Sequence, residues 1–162
     1  MDQFERVKKI SFELTYHWYL LNRGKIKTLF NELSIAEYIA LHVVLKKSKE
    51  TETGKLYLRE LAEGLEMSTA RASKTAGKLK EKGLVNWTHD GDGNEGTYIT
   101  LTESGKAAIS EQDRTLADYY GRIIDYIGIE KAAGIAEIMM DLDERMKREL
   151  EGDEDTDNPE DE

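Results

Sequence analysis

The chain has no cysteine, a single proline and no apolar run approaching the length that crosses a bilayer. Without cysteine there is no disulfide framework, no thiol catalysis and no cysteine-ligated zinc. Without a run of about 20 apolar residues there is no transmembrane helix. The opening segment, MDQFERVKKISFEL, has neither an apolar h-region nor a small-residue cleavage site, so it is not read as a secretory signal. Together these absences point to the cytoplasm. Histidine is also sparse, and His17, His42 and His89 fall on different segments, with no serine in a nucleophile-elbow motif. The chain is therefore read as a non-enzyme with no catalytic residue and no cofactor, and zinc at His17 and His42 lacks any accompanying ligand motif.

Basic charge is the other scarce commodity: 23 Lys and Arg stand against 33 Asp and Glu, a net charge of −10 over 162 residues. The excess is uneven. Residues 151–162 hold eight acids and no base, which leaves 23 bases against 25 acids in residues 1–150. That stretch also contains the only proline, Pro159, and no large apolar residue, so it is expected to be a disordered acidic tail. The remainder is long enough for one domain with a real core.

Apolar residues then mark out the elements. Phe4, Val7, Leu14, Trp18 and Leu21 follow alternating steps of three and four once Ser11 is allowed as an interruption, predicting a long first helix that Gly24 bends or stops. Ser34 and Glu37 form a capping-box signature before Tyr38, Ile39, Leu41, Val44 and Leu45, and residues 46–55 read as a polar loop. Leu56-Tyr57-Leu58 is strand-like, and 59–65 is a short helix with Leu61, Ala62 and Leu65 inward. Ser68 caps a further helix to Lys82, with Ala72, Thr75, Ala76 and Leu79 on one face and Ala70, Arg71, Ser73, Lys74, Gly77 and Lys78 on the other. Gly83 closes it. Residues 84–89 and 97–101 are β-like, joined by the turn-rich DGDGNEG. Thr102 caps a long helix striped with Leu116, Tyr120, Ile123 and Ile127; after Gly128 a last helix repeats Ile135, Met139, Leu142, Met146 and Leu150.

A short helix, a tight turn, a capped basic helix and a hairpin make a winged helix-turn-helix, whose second helix enters the DNA major groove. Residues 68–82 carry five bases and one acid, a local charge of +4 inside an acidic chain. The blander alternative is a merely solvated Lys-rich face. The residues placed to meet DNA are Ser68, Thr69, Arg71, Ser73, Lys74 and Lys78.

The stretch LRELAEGLEMSTARASKTAGKLKEKGLVNWTHDGDGNEGTYITLTESGKAAI resembles the MarR family of winged-helix transcriptional regulators, notably in Gly83-Leu84-Val85 after the basic helix and Leu101-Thr102-x-x-Gly105 after the hairpin. The resemblance implies a mostly α fold with a small β-hairpin wing, a winged helix-turn-helix flanked by N- and C-terminal dimerisation helices. It apportions the chain as 1–30 N-terminal dimerisation helix, 34–101 DNA-binding domain, 102–150 C-terminal dimerisation helices and 151–162 tail. It implies a cytoplasmic homodimer on a pseudo-palindromic double-stranded DNA operator, acting as a ligand-responsive repressor. The pattern departs at the wing, where the family's Asp-x-Arg is matched by Gly93-Asn94-Glu95, and residues 83–105 hold four acids and no Lys or Arg. An anionic wing is repelled by phosphate. The alternative function is therefore a winged-helix protein-interaction module with weakened or lost DNA binding.

MarR-like proteins commonly hold a small effector between the dimerisation helices and the winged domain. Tyr16, His17 and Trp18, with Tyr38 and His42, are the candidates for lining such a pocket here; the alternative makes Trp18 and Tyr38 core and the histidines satisfied polar residues. Two further letter matches are rejected. Gly91-x-Gly93-x-x-Gly96 precedes a strand rather than a helix, and the calcium-loop spacing of Asp90, Asp92 and Asn94 has Glu95 where glycine is required.

Overall fold

A computed structural model describes residues 2–89 and 96–154, with the side chains of 152–154 outside that description. The elements are α1 (Gln3–Leu21), a 3-10 turn (Ile26–Leu29), α2 (Ile35–Glu50), β1 (Leu56–Tyr57), α3 (Leu58–Leu65), α4 (Thr69–Glu81), β2 (Val85–His89), β3 (Thr97–Leu101), α5 (Glu103–Ile127) and α6 (Ile129–Glu154). The fold is thus mostly helical with a small antiparallel sheet. The chain divides into two compact units, Met1–Leu116 and Ala117–Glu162, the boundary falling within α5. Among the described residues no helix is long and apolar enough to cross a membrane.

The predicted caps form. The Ser34 hydroxyl accepts the Glu37 N–H at 3.1 Å while the Glu37 carboxylate accepts the Ser34 N–H, a reciprocal capping box that starts α2. Gly24, at φ +86°, lies between α1 and the 3-10 turn. α2 runs on to Glu50, so residues 46–50 are helical and not the start of the expected loop. Lysine and glutamate are good helix formers, and Lys47 and Lys49 in the last turn complement the helix dipole. α6 likewise reaches Glu154, four residues into the expected tail; residues 155–162 lie outside the described residues. So does the wing tip, 90–95, on which the acidic-wing and calcium-loop readings fall.

The core of the first unit draws one or more residues from every element between α2 and the start of α5. Leu41 and Val44 of α2, Leu61 of α3, Ala72, Ala76 and Leu79 of α4, Val85 and Ile99 of the sheet and Ile109 of α5 are buried together. A fully buried Leu or Ile contributes about 1.5–3 kcal/mol, so this cluster fixes how α3 and α4 sit on α2. The sheet has the order β1-β3-β2, the two-residue β1 adding a strand to the expected hairpin. Trp87 pairs with Ile99 and Val85 with Leu101, which puts Val85, Trp87 and Ile99 on the face that packs inward.

Both ends of α4 are sharply defined. At its start Ser68 accepts the Arg71 N–H at 3.2 Å. At its end the Leu84 N–H reaches the Leu79 carbonyl and the Gly83 N–H the Lys80 carbonyl, with Gly83 at φ +72°, the paired hydrogen bonds of a Schellman stop. The turn between α3 and α4 uses the same pair of bonds around Glu66, at φ +51° the only non-glycine residue with positive φ among the described residues.

Candidate nucleic-acid interface

Because Ala72, Ala76 and Leu79 are clamped in the core, the opposite side of α4 faces outward. Arg71, Lys74 and Lys78, at steps of three and four, are exposed on it. At 13 residues the helix is about 20 Å long, enough to lie across a major groove. Ser68 and Thr69, also exposed, stand at its N-terminus, whose first turn contains no acid. Free N–H groups and the positive end of the dipole there favour an anion such as phosphate. Among the described residues no ion pair involves Arg71, Lys74, Lys78 or Lys80.

Three details differ from the expected face. Ser73 is half-buried, at the margin of the outward row. Gly77, expected to point outward, faces the sheet: a Cβ there would lie 3.8 Å from Cζ3 of Trp87, so the indole packs over the bare backbone of α4. Lys82, counted in the local charge of +4, is exposed but already committed to other groups. Its Nζ donates to the carboxylate of the buried Glu37 at 2.6 Å and to the Glu32 carbonyl at 2.5 Å. The charge free to meet a ligand is therefore that of Arg71, Lys74, Lys78 and Lys80.

The wing base joins α5 through the Leu101-Thr102-x-x-Gly105 sequence. The Thr102 hydroxyl donates to the Gly83 carbonyl at 2.8 Å and accepts the Gly105 N–H at 3.0 Å, and the Thr102 N–H donates to the Leu84 carbonyl. The turn that ends α4 and the first turn of α5 thus share hydrogen bonds.

The residues expected around an effector separate into two groups. Tyr38 and His42, one turn apart on α2, meet through edge-on rings 4.7 Å between centroids, and both bond one oxygen of Asp113 on α5. The Tyr38 hydroxyl donates to Oδ1 at 2.5 Å, and Nε2 of His42 lies 2.8 Å from the same atom. A carboxylate only accepts, so the imidazole is the donor. Phe30 closes edge-on to Tyr38 at 5.6 Å. Burial, with the bond to Asp113 and its charge, pushes the Tyr38 phenol up to about 12. Partial burial pushes the Asp113 carboxyl up, but the bonds from Tyr38 and His42 and the charge of His42 outweigh it and hold the group below the usual value.

Tyr16, His17 and Trp18 lie apart from that cluster in their ring contacts. Tyr16 stacks on Phe12 and meets His17, both on its own helix, and Trp18 is 58% exposed, so Trp18 is not core in the single chain. α1 also bears a second apolar row, Phe12, Tyr16 and Tyr19, beside the one read from the sequence. Asp113 was missed because it stands more than 70 residues from its partners, with no local motif to announce it.

No protein-family model matches the chain, and no curated protein matches it. Solved structures do, along most of their length. A MarR family protein from Bacillus stearothermophilus aligns at 18% identity and TM-score 0.63, covering 91% of this chain and 99% of that one. BpsR of Bordetella bronchiseptica, whose DNA binding is regulated by 6-hydroxynicotinic acid, aligns at 15% and 0.64 over 81% of this chain and 91% of its own. The PcaV transcriptional regulator of Streptomyces coelicolor, solved with its natural ligand, aligns at 15% and 0.61 over 89% and 96%. At such identities the likeness is one of fold: the chain has the winged-helix architecture, terminal helices included, of MarR family transcriptional regulators.

Proposed function

We propose that the protein is a DNA-binding transcriptional regulator that reads a pseudo-palindromic operator as a homodimer and responds to a small effector, acting as a repressor. The observation that carries the reading is the row Arg71, Lys74 and Lys78, free of ion pairs among the described residues, on a helix whose other face is locked into the core. Residues 34–101 form its DNA-binding part, and 1–30 with 102–150 its dimerisation helices. Exposed apolar side chains support that division: Phe4, Val7, Leu14 and Trp18 on α1, Ile135, Met139 and Met146 on α6. A two-fold dimer would set two copies of α4 about 34–36 Å apart, one turn of DNA. The neighbours BpsR and PcaV, whose DNA binding or structure involves a ligand, favour an effector here too.

The effector acts by binding one separation of the recognition helices better than another, which shifts the population away from the DNA-competent dimer. The test is binding of the full chain to the DNA upstream of its own gene, by fluorescence anisotropy. Binding weakened by Arg71→Ala and Lys74→Ala supports the reading. No binding even at low salt would leave the chain as a winged-helix protein-interaction module.

A further inference from the structure

α5 meets the end of α4 through two kinds of joint. The first is backbone on backbone: Gly105 packs against the Leu84 carbonyl with no room for a methyl group, and Thr102 bonds to Gly83 and Leu84 beside it. The second is indirect and runs through residues 29–33, the end of the 3-10 turn and the irregular segment that follows it. From one side Nε2 of Gln112, on α5, donates to the Leu29 carbonyl at 3.0 Å. From the other, Nζ of Lys82, the residue that caps α4, donates to the Glu32 carbonyl at 2.5 Å. Gln112 is 9% exposed and Glu37, which takes the other bond of Lys82, is 5% exposed. Buried polar contacts of this kind are costly to break.

The space between 29–33 and α5 is open beside the Gln112 bond. A cleft of about 170 Å³ is lined by Leu29, Asn31 and Glu32 on one side and by Ala108, Glu111 and Thr115 on the other. It leaves room for the segment and the helix to shift against each other, as a close-packed joint does not. Gln112 lies seven residues, about 10 Å of helix, beyond Gly105. A tilt of α5 by about 10° around the Gly105 contact therefore carries Gln112 by about 2 Å and leaves the Leu84 turn almost where it was. Leu29 and Glu32 are only three residues apart, so little of that displacement is lost as slack before it reaches Lys82.

We infer that residues 29–33 relay the tilt of α5 to the end of α4, with Gln112 and Lys82 as positioning residues. This role rests on the regulator reading above and names a means of its regulation. An effector or a change of dimer geometry that tilts α5 alters the seating of α4 within its own protomer, in addition to the distance between two copies of it.

The test is a double-mutant cycle read by hydrogen exchange in the full chain. Gln112→Met keeps the length of the side chain and loses the donor, and Lys82→Met does the same for the ammonium. Exchange is followed at the backbone amides of 78–84, with 58–65 of α3 as the reference for general loosening. Gln112→Met is expected to speed exchange at 78–84 by about threefold or more with 58–65 unchanged, and to have no such effect where Lys82→Met is already present. Equal speeding in both segments, no change at 78–84, or the same factor with and without Lys82 would each overturn the inference. DNA affinity of the same four proteins keeps the two readings apart. A chain that shows the exchange coupling and binds no DNA loses the regulator reading and keeps the relay; one that binds DNA without the coupling loses the relay alone.

Discussion

Gly105 sits so close to the backbone carbonyl of Leu84 that a single added methyl group would collide with it. Leu84 ends the turn that stops α4, and Gly105 lies in the first turn of α5, so this contact joins α4 to the helix that leads out of the winged body. Backbone cannot move aside as a flexible side chain can. Gly105→Ala is therefore expected to cost about 3 kcal/mol or more in denaturant unfolding. Gly77→Ala makes the contrast: its Cβ meets Trp87 at an ordinary 3.8 Å, and alanine in a helix interior gains about 0.5–1 kcal/mol. A tolerated Gly105→Ala would show that the turn and α5 are not packed as described.

Glu37 serves two partners, the Ser34 N–H of its own cap and the Lys82 ammonium at the end of α4. Glu37→Ala removes both and is expected to destabilise by about 2 kcal/mol, roughly half from the cap. Glu37→Gln keeps a capping oxygen and loses only the ion pair, so thermal unfolding should rank it between Ala and the native chain. Equal losses in the two variants would mean that the cap contributes nothing.

The Tyr38–Asp113 pair makes opposite demands at the two ends of the pH scale. The phenol is raised, so its contribution is complete below 10.0 and is lost as pH climbs toward about 12. The carboxyl is lowered, so its contribution is complete near neutrality and is lost as pH falls through and below the ordinary value of 3.8. A phenolate absorbance titration, with Tyr38→Phe subtracted, should show one tyrosine ionising last. Asp113→Asn should bring it part of the way back toward 10.0, since burial, the larger cause, remains. No movement at all would disconnect the two residues.

Exposed apolar surface on α1 and α6 predicts self-association. Sedimentation of the full chain is expected to find a dimer at micromolar concentration, and Leu14→Glu or Met139→Glu to shift it toward monomer. A native chain that remains monomeric would remove the two-fold arrangement from the functional account.

What the sequence made legible was mainly local. Ser34 with Glu37, Ser68, Gly83 and Thr102 are cap and stop signals whose physics is complete within a few residues, and each forms as expected. The inward face of α4 followed from helical spacing alone. What escaped depends on partners distant in the chain. The ion pair of Lys82 needs Glu37, 45 residues earlier. The packing of Gly77 needs the Trp87 ring laid over it by the sheet. Asp113 becomes visible only once α5 is set against α2. Periodicity assigned α1 one apolar row, while its second, Phe12, Tyr16 and Tyr19, was hidden because two rows on one helix blur each other's spacing.

Whether Arg71, Lys74 and Lys78 meet DNA is read out by the salt dependence of affinity for upstream DNA, native chain against Arg71→Ala, Lys74→Ala and Lys78→Ala. Each lost phosphate contact should lower the slope of log K against log salt by about one, whereas a base contact should relax sequence preference instead. Weaker binding is expected in all three variants, with a reduced slope or a relaxed preference in each. Native-like affinity, slope and preference in the three would contradict it and leave the exposed row of α4 as solvated surface.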